Sequence, residues 1–186
     1  MNAINPKEAS GLEAIAQESI ASGQGDKNLG NFTDAWNHQF VVREMYSNGI
    51  VLDEVLPIES AEYDVHLRYF IREDTKGVPA EIAAVAYASP KGNPSKRMHT
   101  FAQVGSVTPN GFAAGTIQTS FDGQMDAYNL VTQANSRNII PDLAALSKSD
   151  LSRFLEDFSM RYNPLKVKLS GLPPFPQEYG KYFFHC

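Results

Sequence analysis

Tyr63-Asp64-Val65-His66-Leu67-Arg68-Tyr69-Phe70-Ile71-Arg72 changes character at every residue: Tyr, Val, Leu, Tyr and Ile occupy the odd positions, while Asp, His, Arg, Phe and Arg occupy the even ones. A period of two is the signature of a strand with two unlike faces. Further strand candidates follow at Glu81–Ser89, Arg97–Val104, Phe112–Phe121 and Met125–Gln133. They are separated by turn-forming stretches: Thr75-Lys76-Gly77-Val78-Pro79, Pro90-Lys91-Gly92-Asn93-Pro94, Thr108-Pro109-Asn110-Gly111 and Asp122-Gly123. Connections this short favour antiparallel neighbours. The expectation is an α+β fold: an antiparallel β-meander of about five to seven strands, curved or barrel-like, with an N-terminal helix and a C-terminal amphipathic helix. Ala83, Ala84, Ala86 and Ala88 would let another element approach the second strand closely.

Upstream of this core, two readings stay open for residues 33–56. Phe32, Trp36, Phe40, Val41 and Met45 recur at helical spacing and predict a helix from about Thr33, whereas Asn48-Gly49 predicts a two-residue hairpin turn between strands. The N-terminal helix is punctuated by Asn5 as N-cap, Pro6, Glu8 and Gly23, with Leu12, Ile15, Ala16 and Ile20 as its apolar stripe. The C-terminal helix has Ser149 as its expected N-cap, Leu151, Phe154, Leu155, Phe158 and Tyr162 on one face, and Asn163-Pro164 at its end. Beyond it, Leu165, Val167 and Leu169 alternate with lysines, and Tyr182-Phe183-Phe184 is too apolar for a solvated end. In architecture such a meander resembles calycin-like and related small barrels. The surroundings of Trp36 depart from the Gly-x-Trp signature of lipocalins, so no residue role is carried over.

The 186 residues, 42% hydrophobic, fit one domain over 1–186 with a single core. The formal charge of -5 comes from 16 Lys plus Arg against 21 Asp plus Glu, and the densest basic stretch holds only Lys91, Lys96 and Arg97. Nucleic acid is therefore not an expected partner. No continuous apolar run suits a signal peptide or a membrane span, and the lone cysteine, Cys186, excludes an intramolecular disulfide. The expected setting is the cytoplasm, away from the membrane.

Phosphate loops, dinucleotide fingerprints, zinc-protease and nucleophile-elbow motifs are all missing. No metal or cofactor is expected: the four histidines show no ligand spacing, and the side chains of adjacent His185 and Cys186 would point apart. Asp53-Glu54 and Glu73-Asp74 read as strand neighbours on opposite faces or as turn residues. Strand parity supplies the one candidate site. With residue 72 opposite 82 and residue 89 opposite 97, one face carries Tyr63, Tyr69, Tyr87, His99, Phe101 and Gln103, an aromatic wall with polar handles suited to a small molecule. A one-residue slip would redistribute it. The expected function is non-enzymatic: binding an apolar small molecule against the curved sheet, or a partner protein through the surface. The alternatives are a cofactor-independent acid/base enzyme using His99, with Tyr87 as hydrogen-bond donor, and a structural subunit of an assembly. The oligomeric state and the identity of any ligand are not encoded in a readable motif.

Overall fold

Seven strands pair strictly with their sequence neighbours: β1 (Asn31–Thr33), β2 (Gln39–Tyr46), β3 (Gly49–Glu54), β4 (Tyr63–Glu73), β5 (Pro79–Pro90), β6 (His99–Thr108) and β7 (Gly111–Phe121). Every pairing is antiparallel. The helices follow: α1 (Met125–Asn135), α2 (Ile140–Ala144), α3 (Lys148–Val167) and α4 (Gln177–Gly180). This computed structural model describes residues 27–93, 95–96, 99–121 and 124–180; the expected N-terminal helix and the aromatic end with His185 and Cys186 lie outside the described residues. The α+β meander is as the sequence predicts, but the sheet is open, with β1 and β7 as its two edges, and not a barrel.

Residues 39–54 form the hairpin and not the helix. The turn is Ser47-Asn48, because Gly49 pairs with Tyr46. Gly49 is instead required by packing: a Cβ there would lie 2.4 Å from Phe175 Cδ2 and 2.5 Å from the Ile71 carbonyl oxygen. Part of the misleading helical spacing, from Phe40 to Met45, has a local cause. Arg43 is an extra residue between the pairs Val42↔Leu52 and Glu44↔Val51, so the buried series runs Phe40, Val42, Met45 in place of strict alternation.

Met125–Gln133, read as a strand, belongs to helix α1; its buried residues Ala127, Val131 and Ala134 fall at helical intervals. It lies across β4, β5 and β6, on the face that carries Ala84, Ala86 and Ala88. Methyl-sized side chains on both surfaces allow that close approach.

Helix α3 begins two residues earlier than predicted, with the Ser147 hydroxyl accepting from the Asp150 amide at 3.2 Å. It also passes through Pro164 to Val167. Proline removes one ladder bond there, and tertiary contacts hold the last turn: Lys166 pairs with Glu73, and Leu165 occupies the space over Gly30. Leu165 and Val167, which alternate with lysines, therefore belong to the helix. The stripe Leu151, Phe154, Leu155, Phe158 and Tyr162 is buried as expected. Phe158 meets Phe32 and Phe40 edge-on, at 5.3 and 5.7 Å between ring centroids.

Phe158→Ala should cost roughly 3–5 kcal/mol in a denaturant titration, the range for deleting a fully buried aromatic. A change below about 1 kcal/mol would show that α3 contributes little to the core.

Candidate functional site

Both registers differ by one residue from the simplest ones. Arg72 pairs with Glu81, with a further irregularity between Arg72 and Glu73, which pairs with Pro79, and Ala88 pairs with His99. The two slips cancel for β6 but not for β5. Tyr69, Ala84 and Gln103 therefore share one face, while His66, Tyr87 and Thr100 share the other.

The correction for the predicted wall follows directly. Tyr69, His99, Phe101 and Gln103 lie together on the helix-covered face, and Tyr87 lies on the opposite one, stacked on His66 at 4.8 Å and 17°. The segment expected to be a further strand is the helix that crosses this face. Tyr69 is fully buried; its hydroxyl accepts from the Ile139 amide at 3.2 Å and lies 3.4 Å from Glu54 Oε1. Gln103 Oε1 accepts from Asn138 Nδ2 at 3.0 Å, and the His99 ring lies 4.8 Å from that of Tyr128 on α1. Tyr69 and Gln103 thus anchor the α1–α2 connection.

Two buried polar clusters were not anticipated. On the face bearing Tyr87, Arg68 Nε and Nη2 donate to Asp53 Oδ1 and Oδ2 at 2.7 and 2.9 Å, and Arg43 Nε adds a 2.9 Å bond to Oδ2. Burial works against ionisation of Asp53, but the hydrogen bonds and charge of Arg68 prevail and hold its carboxyl below the usual range. Nearby, Glu44 Oε1 accepts from the Tyr46 hydroxyl and from the Tyr179 hydroxyl of α4, the latter at 3.1 Å. Burial, then the Glu44 carboxylate, push both phenols upward.

The second cluster lies at the β1–β2 turn. Asp34 Oδ1 accepts from the backbone amides of Trp36 and His38 at 3.0 and 2.8 Å, and Asn37 adopts a left-handed φ of 66°. Asp34 Oδ2 is buried without a hydrogen-bond partner, 3.6 Å from His38 Nδ1, which is likewise without one. Glu54 Oε1 lies 3.7 Å from the same ring nitrogen, and Glu54 Oε2 accepts from Arg137 Nε at 2.5 Å. Burial raises the pKa of both carboxyls, against the lowering pull of His38 on each, of Arg137 on Glu54 and of Arg161 on Asp34. The imidazole nitrogen thus stands between two buried carboxylates, beyond hydrogen-bond distance of either. Among the described residues, no group of three or more His, Cys, Asp or Glu side chains has the geometry to hold a metal ion. The sequence signal was thin: Asp34 and His38 sit in the segment that helical spacing obscured, and Glu54 looked like a routine strand carboxylate.

The larger described depressions are on the outside. One cleft, of about 460 Å³, lies between the β4–β5 turn, the β6–β7 turn and α3, lined by Val78, Pro79, Val107, Leu151 and Leu155 with Asp74, Lys76, Lys148 and Glu156 beside them. Another, of about 540 Å³, is formed by residues 58–66 with Lys91 and includes His66.

A carboxyl whose folded pKa is raised binds its proton more tightly in the native state, so its contribution to stability falls as pH rises from the unfolded value through the folded one. Asp34→Asn removes that titration and keeps the acceptor for the two turn amides. Relative to the wild type, it should therefore gain stability as pH rises from 4 to 7, measured by urea unfolding. A relative loss over that interval would mean that an ionised Asp34 is needed. The chain matches no protein-family model, no curated protein and no solved structure, so geometry alone carries the functional reading.

Proposed function

We propose that this is a non-enzymatic binding protein that engages a partner protein through its surface. The observation supporting this reading is the 460 Å³ cleft. Leu151, Leu155 and Pro79 in it are buried, while Asp74, Lys76, Lys148 and Glu156 beside them are exposed with charges of both signs. An apolar base with a mixed charged border is how a protein interface is built, with the border setting orientation and the base supplying affinity. The small-molecule alternative loses support because the aromatic wall is divided between two faces, with Tyr69, His99 and Gln103 engaged by α1 and the α1–α2 connection. Helices long and apolar enough to cross a membrane are absent among the described residues. A cytoplasmic setting belongs to the same proposal and rests on the lone cysteine.

One observation favours a second reading, an acid/base enzyme centred on His38 and not on His99: the imidazole nitrogen between two buried carboxylates. His38 would exchange the proton, and Asp34 and Glu54 would set its orientation.

Ala80→Arg with Ser152→Arg would fill the cleft from two sides without deleting buried apolar groups. The doubly substituted protein should melt like the wild type, within the roughly 0.5 kcal/mol usual for surface changes, yet lose the proteins that co-purify with the wild type from its source cells. If the same proteins are retained, the cleft is not the binding surface; if His38→Gln and not the cleft pair abolishes a turnover found by substrate screening, the enzyme reading replaces this one.

A further inference from the structure

The two edges of the sheet are built differently. β1 has only three residues, and Arg161 Nη1 of α3 donates to the Thr33 carbonyl at 2.8 Å, so this edge is short and partly held by a helix. β7 has eleven residues, Gly-Phe-Ala-Ala-Gly-Thr-Ile-Gln-Thr-Ser-Phe, with no Lys, Arg, Asp, Glu or Pro. Charges, proline and shortness are the usual protections of an exposed edge. β1 has the last of these; β7 has none of the three.

The backbone groups at stake follow from the register. Thr108 and Gly111 close a two-residue loop, so they form a hydrogen-bonded pair, and alternation makes Ala113↔Ser106 and Gly115↔Val104 bonded pairs as well. The N–H and C=O groups of Phe112, Ala114 and Thr116 consequently point away from β6. Among the described residues nothing pairs with them, since β7 ends the strand order. The irregularity between Thr100 and Ala102, with Ser120 and Ile117 as partners, confines the regular stretch to 111–117.

We propose that β7 is the interface through which two copies of this chain join, antiparallel and centred on Ala114, into one continuous sheet. A two-fold axis normal to the sheet places Ala114 opposite its own copy and Phe112 opposite Thr116 of the partner subunit. The outward groups of three residues in each copy then form about six ladder bonds. A second copy suits this edge because identical uncharged strands meet without like-charge repulsion, and Ala113, Ala114 and Gly115 offer little steric bulk at the axis. The overall charge of -5 is carried elsewhere on the chain.

Light-scattering mass of the full chain, taken from micromolar to about 1 mM, tests this. The expected mass is twice the 20.5 kDa of the monomer. Ala114→Pro removes an outward donor while sparing the β6–β7 ladder, and Thr116→Lys charges an exposed edge position. Each should raise the dimer dissociation constant at least about tenfold with an unchanged melting curve. Should the proline variant fail to fold, Thr116→Lys carries the test alone. A wild-type mass of 20.5 kDa at the highest concentration overturns the proposal, as does a dimer that survives Thr116→Lys, because another surface would then be holding it.

Discussion

Asp53 stands directly opposite Arg68 in the β3–β4 register, and the two are joined by a bidentate pair inside the protein, with Arg68 fully buried. Removing two charges from water costs several kcal/mol each, so the pair adds little net stability over an apolar substitute. What it does constrain is register. A slip of one residue would turn Arg68 toward the helices, among Leu52, Leu67 and Ala86, with no carboxylate to meet it. Only one alignment of β3 and β4 keeps the guanidinium paired, and the strands on either side inherit their facing from it.

With that facing set, the two sides of the sheet diverge. One presents Leu67, Tyr69, Ile71 and, from β5, Ala84, Ala86 and Ala88 to α1 and α3, forming the larger core. The other combines Val51, Phe70, Val85, Tyr87 and Val104 with Phe175 from the C-terminal segment. That segment is tied to the β2–β3 turn: the Phe175 amide donates to Asn48 Oδ1 at 2.6 Å, and the Ser47 amide to the Pro173 carbonyl at 2.8 Å. Asn48, which looked like a turn residue for its backbone alone, also serves through its side chain. The absence of a Cβ at Gly49 makes room for the Phe175 ring.

The same division explains why the candidate sites lie where they do. The aromatic positions in mid-strand are used for packing, as Tyr69 under the α1–α2 connection shows. Among the described residues, the groups left with unmet bonding capacity include Asp34 and His38 in the β1–β2 turn and the outward amides of β7. Such positions escape the demand for close packing that fills the middle of a sheet. They are also positions where a partner, a proton or a second chain can be met without disturbing the core.

Much of the fold was legible in local chemistry. The alternation of 63–72 and the turn residues after it specify strands and their order, and the stripe from Leu151 to Tyr162 specifies the long helix, because periodicity reports which side chains must leave water. Three things were not legible. The extra residue Arg43 helped disguise a strand as a helix, since a bulge changes the spacing without changing composition. Met125–Gln133 reads as a strand from its local pattern and forms a helix because Ala84, Ala86 and Ala88 of β5 offer a helix a close seat. Register was the third: each hairpin could slip by one at no local cost, and only buried contacts between distant residues, Asp53 with Arg68 and Glu73 with Tyr162 and Lys166, select the alignment. Sequence determined which side chains alternate along each strand; tertiary structure decided which strands' side chains share a face, because that choice is made by pairings across the sheet and not by neighbours along the chain.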